Sequence, residues 1–175
     1  MRKPLQGGQS LVEFTFVGIP VIFILICIFE ISRGMWIYGT LNHAVKQGVR
    51  YAIVHGQNCT QNGNDCWATL GPALSSCDSP SRAIAEVIWC AGIGLDPANT
   101  TVQFTSTQGT TPWYPLNAVP ATRWPPDSGN ASGQPITIDV RTPFNTALAM
   151  FWPGSSPVSF ASGILPASSS DLIQY

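Results

Sequence analysis

Residues 11–29 read LVEFTFVGIPVIFILICIF, and Glu13 is the single charged residue among them. Residues 9–29, as a helix that rises about 1.5 Å per residue, would span roughly 31 Å. That length matches the hydrocarbon core of a bilayer, which is about 30 Å thick. The sequence therefore predicts a membrane-spanning helix close to the N-terminus.

The flanks of this stretch indicate its orientation. Arg2 and Lys3 precede it, so the positive-inside rule places the N-terminus in the cytoplasm and exports the residues after Glu30. A cleaved secretory signal is disfavoured, because the stretch is longer than an ordinary apolar region of about 7–15 residues and no small-x-small site follows it. A lipoprotein cysteine at Cys27 is disfavoured because Ile26 precedes it, where a small residue is expected. We expect a retained single-pass anchor.

The composition of the chain excludes several classes of protein. Charged residues make up 10% of its 175 residues, against roughly 25% in a typical soluble domain. The formal net charge is -1, so the basic surface that nucleic-acid binding requires is missing. With two histidines and no dense acidic cluster, a metal- or carboxylate-dependent enzyme is disfavoured. We expect no cofactor, no metal, no nucleic acid and no small-molecule substrate.

The N-terminal residues carry a more specific pattern. Gly7 and Gly8 stand directly before the apolar stretch, Glu13 follows Gly8 by five residues, and Pro20 lies inside the stretch. Together with Leu41–Ala44 and Gly48–Ala52 further along, this region resembles the TadE-like minor pseudopilins of Tad (Flp) pilus systems, which are type IV-like prepilins. The resemblance covers residues 6–54 well and the remainder only in its general layout.

The resemblance implies a processing site. A prepilin peptidase, which is an intramembrane aspartyl protease, would cleave after Gly8 on the cytoplasmic face and leave Gln9 as the new N-terminus. Glycine lacks a side chain and disfavours helix, so the bond could extend into a protease cleft. The alternative is that Gly7 and Gly8 only form a flexible joint between a basic leader and a helix.

Glu13 is the residue to which the resemblance assigns subunit docking. A carboxylate inside a membrane segment is unfavourable unless it is paired or lies near the interface. The resemblance implies that Glu13 neutralises the new amine at Gln9 of a neighbouring subunit, which would also fix the axial stagger of the two helices. The alternative is interfacial, because Glu13 is close enough to Gln9 to reach the lipid headgroups.

The helix is predicted to continue beyond the membrane, from about Gln9 to Val54. The residues Tyr38, Leu41, Val45, Gly48 and Ala52 recur at helical spacing and form one face. Pro20 is expected to kink the membrane-spanning half.

The remainder reads as a small α+β arrangement. A second helix is predicted with Ser79 as its N-cap and Pro80 in its first turn, carrying Ile84, Val87, Ile88 and Ala91 on one face. Strands are predicted at 101–107, 136–141 and 158–161, with a fourth near 171–175. Residues 108–134 are expected to form a long structureless loop.

The predicted fold class is α+β and pilin-like: a long N-terminal transmembrane and amphipathic helix packed on a small antiparallel sheet, with a second short helix. The predicted domains are a leader at 1–8, a transmembrane and amphipathic helix at 9–55 and an exported domain at 56–175.

The cysteines divide between the two parts. Cys27 lies in the membrane segment and is most simply a buried apolar residue. The other four, Cys59, Cys66, Cys77 and Cys90, fall on the exported side, where an even set predicts two disulfides. Three connectivities are possible, and pairing of near neighbours favours Cys59–Cys66 and Cys77–Cys90. A zinc site is the disfavoured alternative, because the spacings contain no C-x2-C pair.

Three aromatic residues stand in the proline-rich loop, namely Trp113, Tyr114 and Trp124. They could form an exposed binding patch. The favoured interpretation is that they cover the sheet edge as a small satellite cluster.

The sequence thus predicts a structural protein and not an enzyme: a minor pilin or pseudopilin in the bacterial inner membrane with a periplasmic domain. The partners that the resemblance implies are other pilins, Tad assembly proteins and a prepilin peptidase. The alternative hypothesis is a single-pass membrane-anchored extracytoplasmic module, an adhesin or a sensor, that keeps its full N-terminus.

Overall fold

A computed structural model describes residues 7–56, 59–61, 64–71, 77, 83–145 and 162–174. Its first element is helix α1, Gly7–Val54, which is 48 residues long and contains Pro20. At about 1.5 Å per residue this helix is roughly 72 Å long. The predicted continuous helix is confirmed, since it runs through the apolar stretch and ends at Val54 as expected.

The second half of α1 forms one side of the hydrophobic core. Leu41, Ala44, Val45, Val49 and Ala52 are buried there. The predicted core face is therefore confirmed from Leu41 onward, but it is wrong at Tyr38, which is 49% exposed. Tyr38 lies at the edge of an open groove between α1 and the end of the sheet, one turn before the packed core begins.

Helix α2, Ile84–Ala91, packs directly on α1. The contact depends on Gly48, because a Cβ placed there would lie 2.5 Å from Cγ1 of Ile88. Ile84 and Ile88 fill the space that the missing side chain leaves, and both are fully buried. Gly48 is therefore a site of close approach between two helices.

The start of α2 differs from the prediction. Ser79 and Pro80 lie outside the described residues, and the described helix begins later, after Ala83 in an extended conformation. The N–H of Ile84 donates to the carbonyl of Thr69 at 2.8 Å, and the N–H of Ala85 donates to the carbonyl of Leu70 at 2.9 Å. Backbone carbonyls of a neighbouring segment thus satisfy the first helical donors, which a side-chain cap was expected to do.

The sheet lies on the other side of the core. Its strands are β3 (Thr101–Ser106), β4 (Gly109–Thr110), β5 (Tyr114–Pro115), β6 (Pro135–Asn145) and β7 (Ser162–Leu172). Their order is β4-β3-β6-β7, with β5 also paired to β3, and the pairings are antiparallel. A separate short hairpin pairs β1 (Thr60–Gln61) with β2 (Asn64–Asp65). Both β6 and β7 contact α1, which confirms the predicted α+β arrangement.

The register of the central strands follows the alternation read from the sequence. Val102 lies opposite Val140, and Phe104 lies opposite Ile138. All four side chains are fully buried, as the period of two along each strand requires. The predicted strands at 101–107 and 136–141 are confirmed, and β6 continues further, to Asn145.

The last strand differs from the prediction. The strand predicted at 158–161 lies outside the described residues, while β7 occupies Ser162–Leu172 and includes only the beginning of the strand predicted at 171–175. This segment is rich in serine and contains Pro166. Neither feature is typical of a strand, so the sequence did not indicate one here. Proline is tolerated here because β7 is the last strand in the sheet order, and an edge strand does not need every N–H for pairing.

The region 108–134 is not a structureless loop, so that prediction is wrong. It contains β4, β5 and two short 3-10 helices, η1 (Leu116–Ala118) and η2 (Asp127–Gly129). Leu116 and Val119 are buried in the core, and so is Trp124, whose ring centroid lies 5.3 Å from that of Phe104. Packing against the core gives this segment its order.

The aromatic residues of this region therefore do not form one satellite cluster. Trp124 belongs to the main core. Tyr114 is half-buried against that core, and Trp113 lies under the guanidinium of Arg141, 4.0 Å from its ring centroid. The three side chains consequently occupy different environments.

Candidate functional site

The predicted cleavage site lies in the first turn of α1. The helix begins at Gly7, so the bond between Gly8 and Gln9 is helical in the uncleaved chain. Gly8 is exposed, and a Cβ built on it would meet nothing within 4 Å. A protease would have to unwind this turn, and among the described residues no packing contact at Gly8 opposes that unwinding.

Glu13 lies on a part of α1 whose side chains are exposed and make no core. Its side chain is exposed, as are those of its neighbours Leu11, Val12 and Phe14. None of the described side chains forms an ion pair with Glu13. Among the described residues, the surface around Glu13 is therefore open to a cationic partner.

Pro20 interrupts the hydrogen-bond ladder within the apolar half without ending the helix. Because proline has no N–H, the carbonyl of Phe16 loses its helical donor at this position. In a membrane such a gap is tolerated when a neighbouring group covers it.

The character of α1 changes between residues 30 and 38. Glu30 and Arg33 form an ion pair at 3.0 Å, and Trp36 beyond them is 67% exposed. Charged and amphipathic aromatic side chains of this kind are enriched at the membrane–water interface. The residues before this band make up the exposed apolar half of α1, and an 18-residue window there has no residue buried within the protein.

The region that follows α1 begins with the disulfides. Cys59 is bonded to Cys66 across the short hairpin, with a Cα–Cα distance of 5.4 Å, and Cys77 is bonded to Cys90 with a distance of 5.6 Å. This is the connectivity that pairing of near neighbours favours. The second bond anchors the segment before α2 to the last turn of that helix, and a closed loop of this size contributes about 3 kcal/mol in the chain-entropy description.

Cys27 does not occupy the buried position expected for it. It is a free thiol on the exposed surface of α1. The reason is geometric, since Cys27 lies where α1 passes the end of the sheet, at the rim of an open groove, and its side chain has no closed core to enter.

The two histidines are separated by more than three turns of α1 and do not form a common site. His43 is exposed. His55 stacks on Tyr51 with a centroid distance of 4.0 Å, and its Nδ1 lies 2.6 Å from the Tyr51 carbonyl oxygen. Among the described residues, no group of three or more histidine, cysteine or acidic side chains is placed to hold a metal ion.

Sequence reasoning missed Glu86, the most unusual polar group among the described residues that follow α1. Its side chain is 3% exposed on α2, and within the described structure neither carboxylate oxygen has a hydrogen-bond partner. Burial raises the pKa of this carboxyl above its ordinary value. The available signal was its place inside the apolar run IAEVIW.

Within the part of the chain that the structure describes, these observations define one helix that could cross a membrane and an α+β domain built on the second half of that helix. Residues 8–50 match the family model TadE, described as TadE-like protein. No curated protein and no solved structure matches the chain.

The resemblance inferred from the sequence is thus confirmed for the N-terminal segment, and the matched residues include Gly8, Glu13 and Pro20. This match supports the interpretation that the protein is associated with a Tad pilus. The match ends within α1, so the sheet and α2 lie outside it.

Proposed function

We propose that this chain is a minor pilin or pseudopilin of a Tad-type pilus or a related secretion fibre. The observation that carries the proposal is the coincidence of the TadE-like domain at 8–50 with a helix divided into two halves. The first half is apolar and exposed, and the second half is buried under a sheet and α2. A subunit that is stored in a membrane and then assembled needs this division.

The exposed apolar half of α1 occupies two environments in succession, first the membrane and then the fibre. In the bacterial inner membrane, residues 11–29 face lipid, with the N-terminus in the cytoplasm and the domain from residue 56 in the periplasm. In a fibre, the same apolar surface is buried against other pilins, because it cannot remain exposed to water. The role is structural, and the partners are other pilins and the Tad assembly proteins.

Processing follows from the same proposal. A prepilin peptidase removes residues 1–8 and leaves Gln9 with a free amine. Glu13 of a neighbouring subunit then pairs with that amine, and the contact is strong because it forms in a medium of low dielectric constant. The bare surface around Glu13 supports this role, since its own chain supplies no competing cation among the described residues.

The mass of the N-terminal peptide tests this proposal. The protein is extracted from membranes of cells that contain the peptidase, and we expect the mature chain to start at Gln9. Cells without the peptidase are the control and should yield the precursor. An intact Met1 in both strains would contradict the proposal and favour a permanently anchored adhesin or sensor.

A further inference from the structure

A groove of about 510 Å³ lies between α1 and the adjoining ends of β6 and β7. One wall is α1, with Cys27, Ile31 and Met35 spaced four residues apart. The opposite wall is formed by Phe144 and Leu165. The remaining lining residues are Glu30, Gly34 and Tyr38, so the surface is apolar apart from one carboxylate and one hydroxyl.

The groove crosses the predicted boundary of the membrane. It begins at Cys27, inside the predicted span of residues 9–29, and reaches Tyr38, about 16 Å further along the helix axis. The headgroup layer adds only several ångströms to each side of the hydrocarbon core. The groove therefore opens at the level of the acyl chains and continues through the headgroups to the exported domain.

The domain-side wall is fixed to the helix by contacts at this level. A Cβ built on Gly34 would lie 3.5 Å from the ring of Phe144, so that ring packs against the helix backbone. The guanidinium of Arg33 lies over the same ring, 4.7 Å from its centroid, and also donates to the carbonyl of Asn145. The groove is consequently a built feature of the fold and not a gap between two loosely placed parts.

We propose that this groove holds one acyl chain of a phospholipid from the periplasmic leaflet. The inference rests on the proposed insertion in the membrane. The α1 wall is continuous with the exposed apolar half of the helix, so a lipid that covers that half can extend its chain into the groove. Water in an apolar groove is unfavourable, which favours an apolar occupant. The ion pair of Glu30 and Arg33 marks the level of the lipid headgroups.

A lipid fits this groove better than a neighbouring helix. Close pairing of membrane helices uses small residues that let two backbones approach. Gly34 is the small residue on the helix wall, and Phe144 of the same chain already covers it. A flexible acyl chain needs no such approach. Its binding would attach the end of the sheet to the membrane surface.

Photo-crosslinking of the full-length chain tests the proposal. The photoreactive residue p-benzoylphenylalanine replaces Phe144, and the protein is reconstituted in vesicles of phosphatidylethanolamine and phosphatidylglycerol. We expect adducts with the mass of a phospholipid, and fragmentation should place the new bond on the acyl chain. Leu165 on the same wall is a second position, in case the first variant folds poorly, and should give the same product.

Three control positions make the result specific. Ile24, in the predicted span, should form acyl adducts. Trp36, at nearly the same level but outside the groove lining, should form several-fold fewer acyl adducts than Phe144. Ile93 is 74% exposed and follows α2, which packs at Gly48, about 28 Å beyond the predicted end of the span. It should form none.

The outcomes separate this inference from the proposed function. Acyl adducts at Ile24 with none at Phe144 and Leu165 would overturn the groove proposal and leave membrane insertion intact. Crosslinks from Phe144 to a second copy, or to residues 146–161 of the same chain, would assign the groove to another occupant and overturn the proposal as well. A failure at Ile24 would contradict membrane insertion itself, and the groove proposal would fall with it.

Discussion

The two halves of α1 have the same backbone conformation and opposite surroundings. Side chains from Leu11 to Phe29 are almost all exposed, whereas Leu41, Val45 and Val49 are buried beneath the sheet and α2. Helical propensity alone does not distinguish these halves. The difference shows that the first half is stabilised by its own hydrogen bonds and by the surrounding medium, and the second half by tertiary packing.

This contrast predicts that changes in the first half affect processing and assembly but not the stability of the α+β domain. Changes in the second half should have the reverse effect. Substitutions in each half can separate effects on processing and assembly from effects on domain stability.

The largest effect is expected for Gly8→Leu. A bulky side chain beside the scissile bond should block the protease cleft, and leucine also strengthens the helical turn that must unwind. We expect the uncleaved precursor to accumulate in the membrane, with maturation reduced by at least tenfold in immunoblots. Gly39→Leu is the control, because Gly39 is equally open within α1 and lies far from the cleavage site. Normal maturation of the Gly8→Leu protein would show that the proposed cleavage site is wrong.

Glu13→Gln should have the next largest effect. The variant keeps the size of the side chain and loses the charge that would neutralise a neighbouring subunit's amine. We expect normal insertion and cleavage, with severalfold less co-purification with assembly partners and fewer pili per cell. Glu30→Gln is a control at the other end of the apolar half, where the carboxylate is paired within its own chain. If the Glu13→Gln protein supports normal piliation, the docking role of Glu13 is refuted.

The sequence predicted features that local physics determines. Residues 11–29 predicted the apolar half of α1, because that helix forms without packing against the rest of the protein. The spacing of Cys77 and Cys90 favoured their pairing because near neighbours in the chain meet easily. Val102 and Val140 could be assigned to the core because period-two alternation depends only on the strand itself.

Features that depend on tertiary contacts could not be predicted in the same way. Trp124 looked like part of a loose proline-rich loop, and its burial depends on contact with Phe104 across the fold. Pro166 and the serines after it concealed β7, whose strand conformation comes from its pairing with β6. The groove beside Gly34 was likewise not foreseen, because Phe144 reaches it from a strand more than a hundred residues away.

A matched pair of glycine substitutions tests the packed half of α1. Gly48→Ala would place a methyl group 2.5 Å from Cγ1 of Ile88, while the same change at Gly39 meets nothing within 4 Å. We expect Gly48→Ala to lower the free energy of unfolding by about 1–3 kcal/mol through overpacking. Gly39→Ala should raise helix stability by up to about 1 kcal/mol. Thermal unfolding in detergent, followed by circular dichroism, measures both variants. Equal effects would mean that α1 and α2 do not pack as closely at Gly48 as described.

The smallest effect concerns the pH dependence that Glu86 gives to the stability of the α+β domain. Burial raises the pKa of the Glu86 carboxyl above the ordinary value of 4.5. Below about pH 4.5 the carboxyl is protonated in both the folded and the unfolded chain, and it contributes no pH dependence. As the pH rises, the unfolded chain releases this proton first, so folding stability falls until the folded pKa is also passed.

Glu86→Gln removes the ionisation while leaving a buried polar group of similar size. We therefore expect the wild-type melting temperature to fall between pH 4.5 and pH 7.5, relative to the variant over the same interval. Val87→Ala is the control, because Val87 is a half-buried neighbour on α2 without an ionisable group, and its replacement should leave the shape of the wild-type pH profile unchanged. Parallel pH profiles of wild type and Glu86→Gln would show that the pKa of Glu86 is the same in the folded and the unfolded chain, and would contradict a raised pKa.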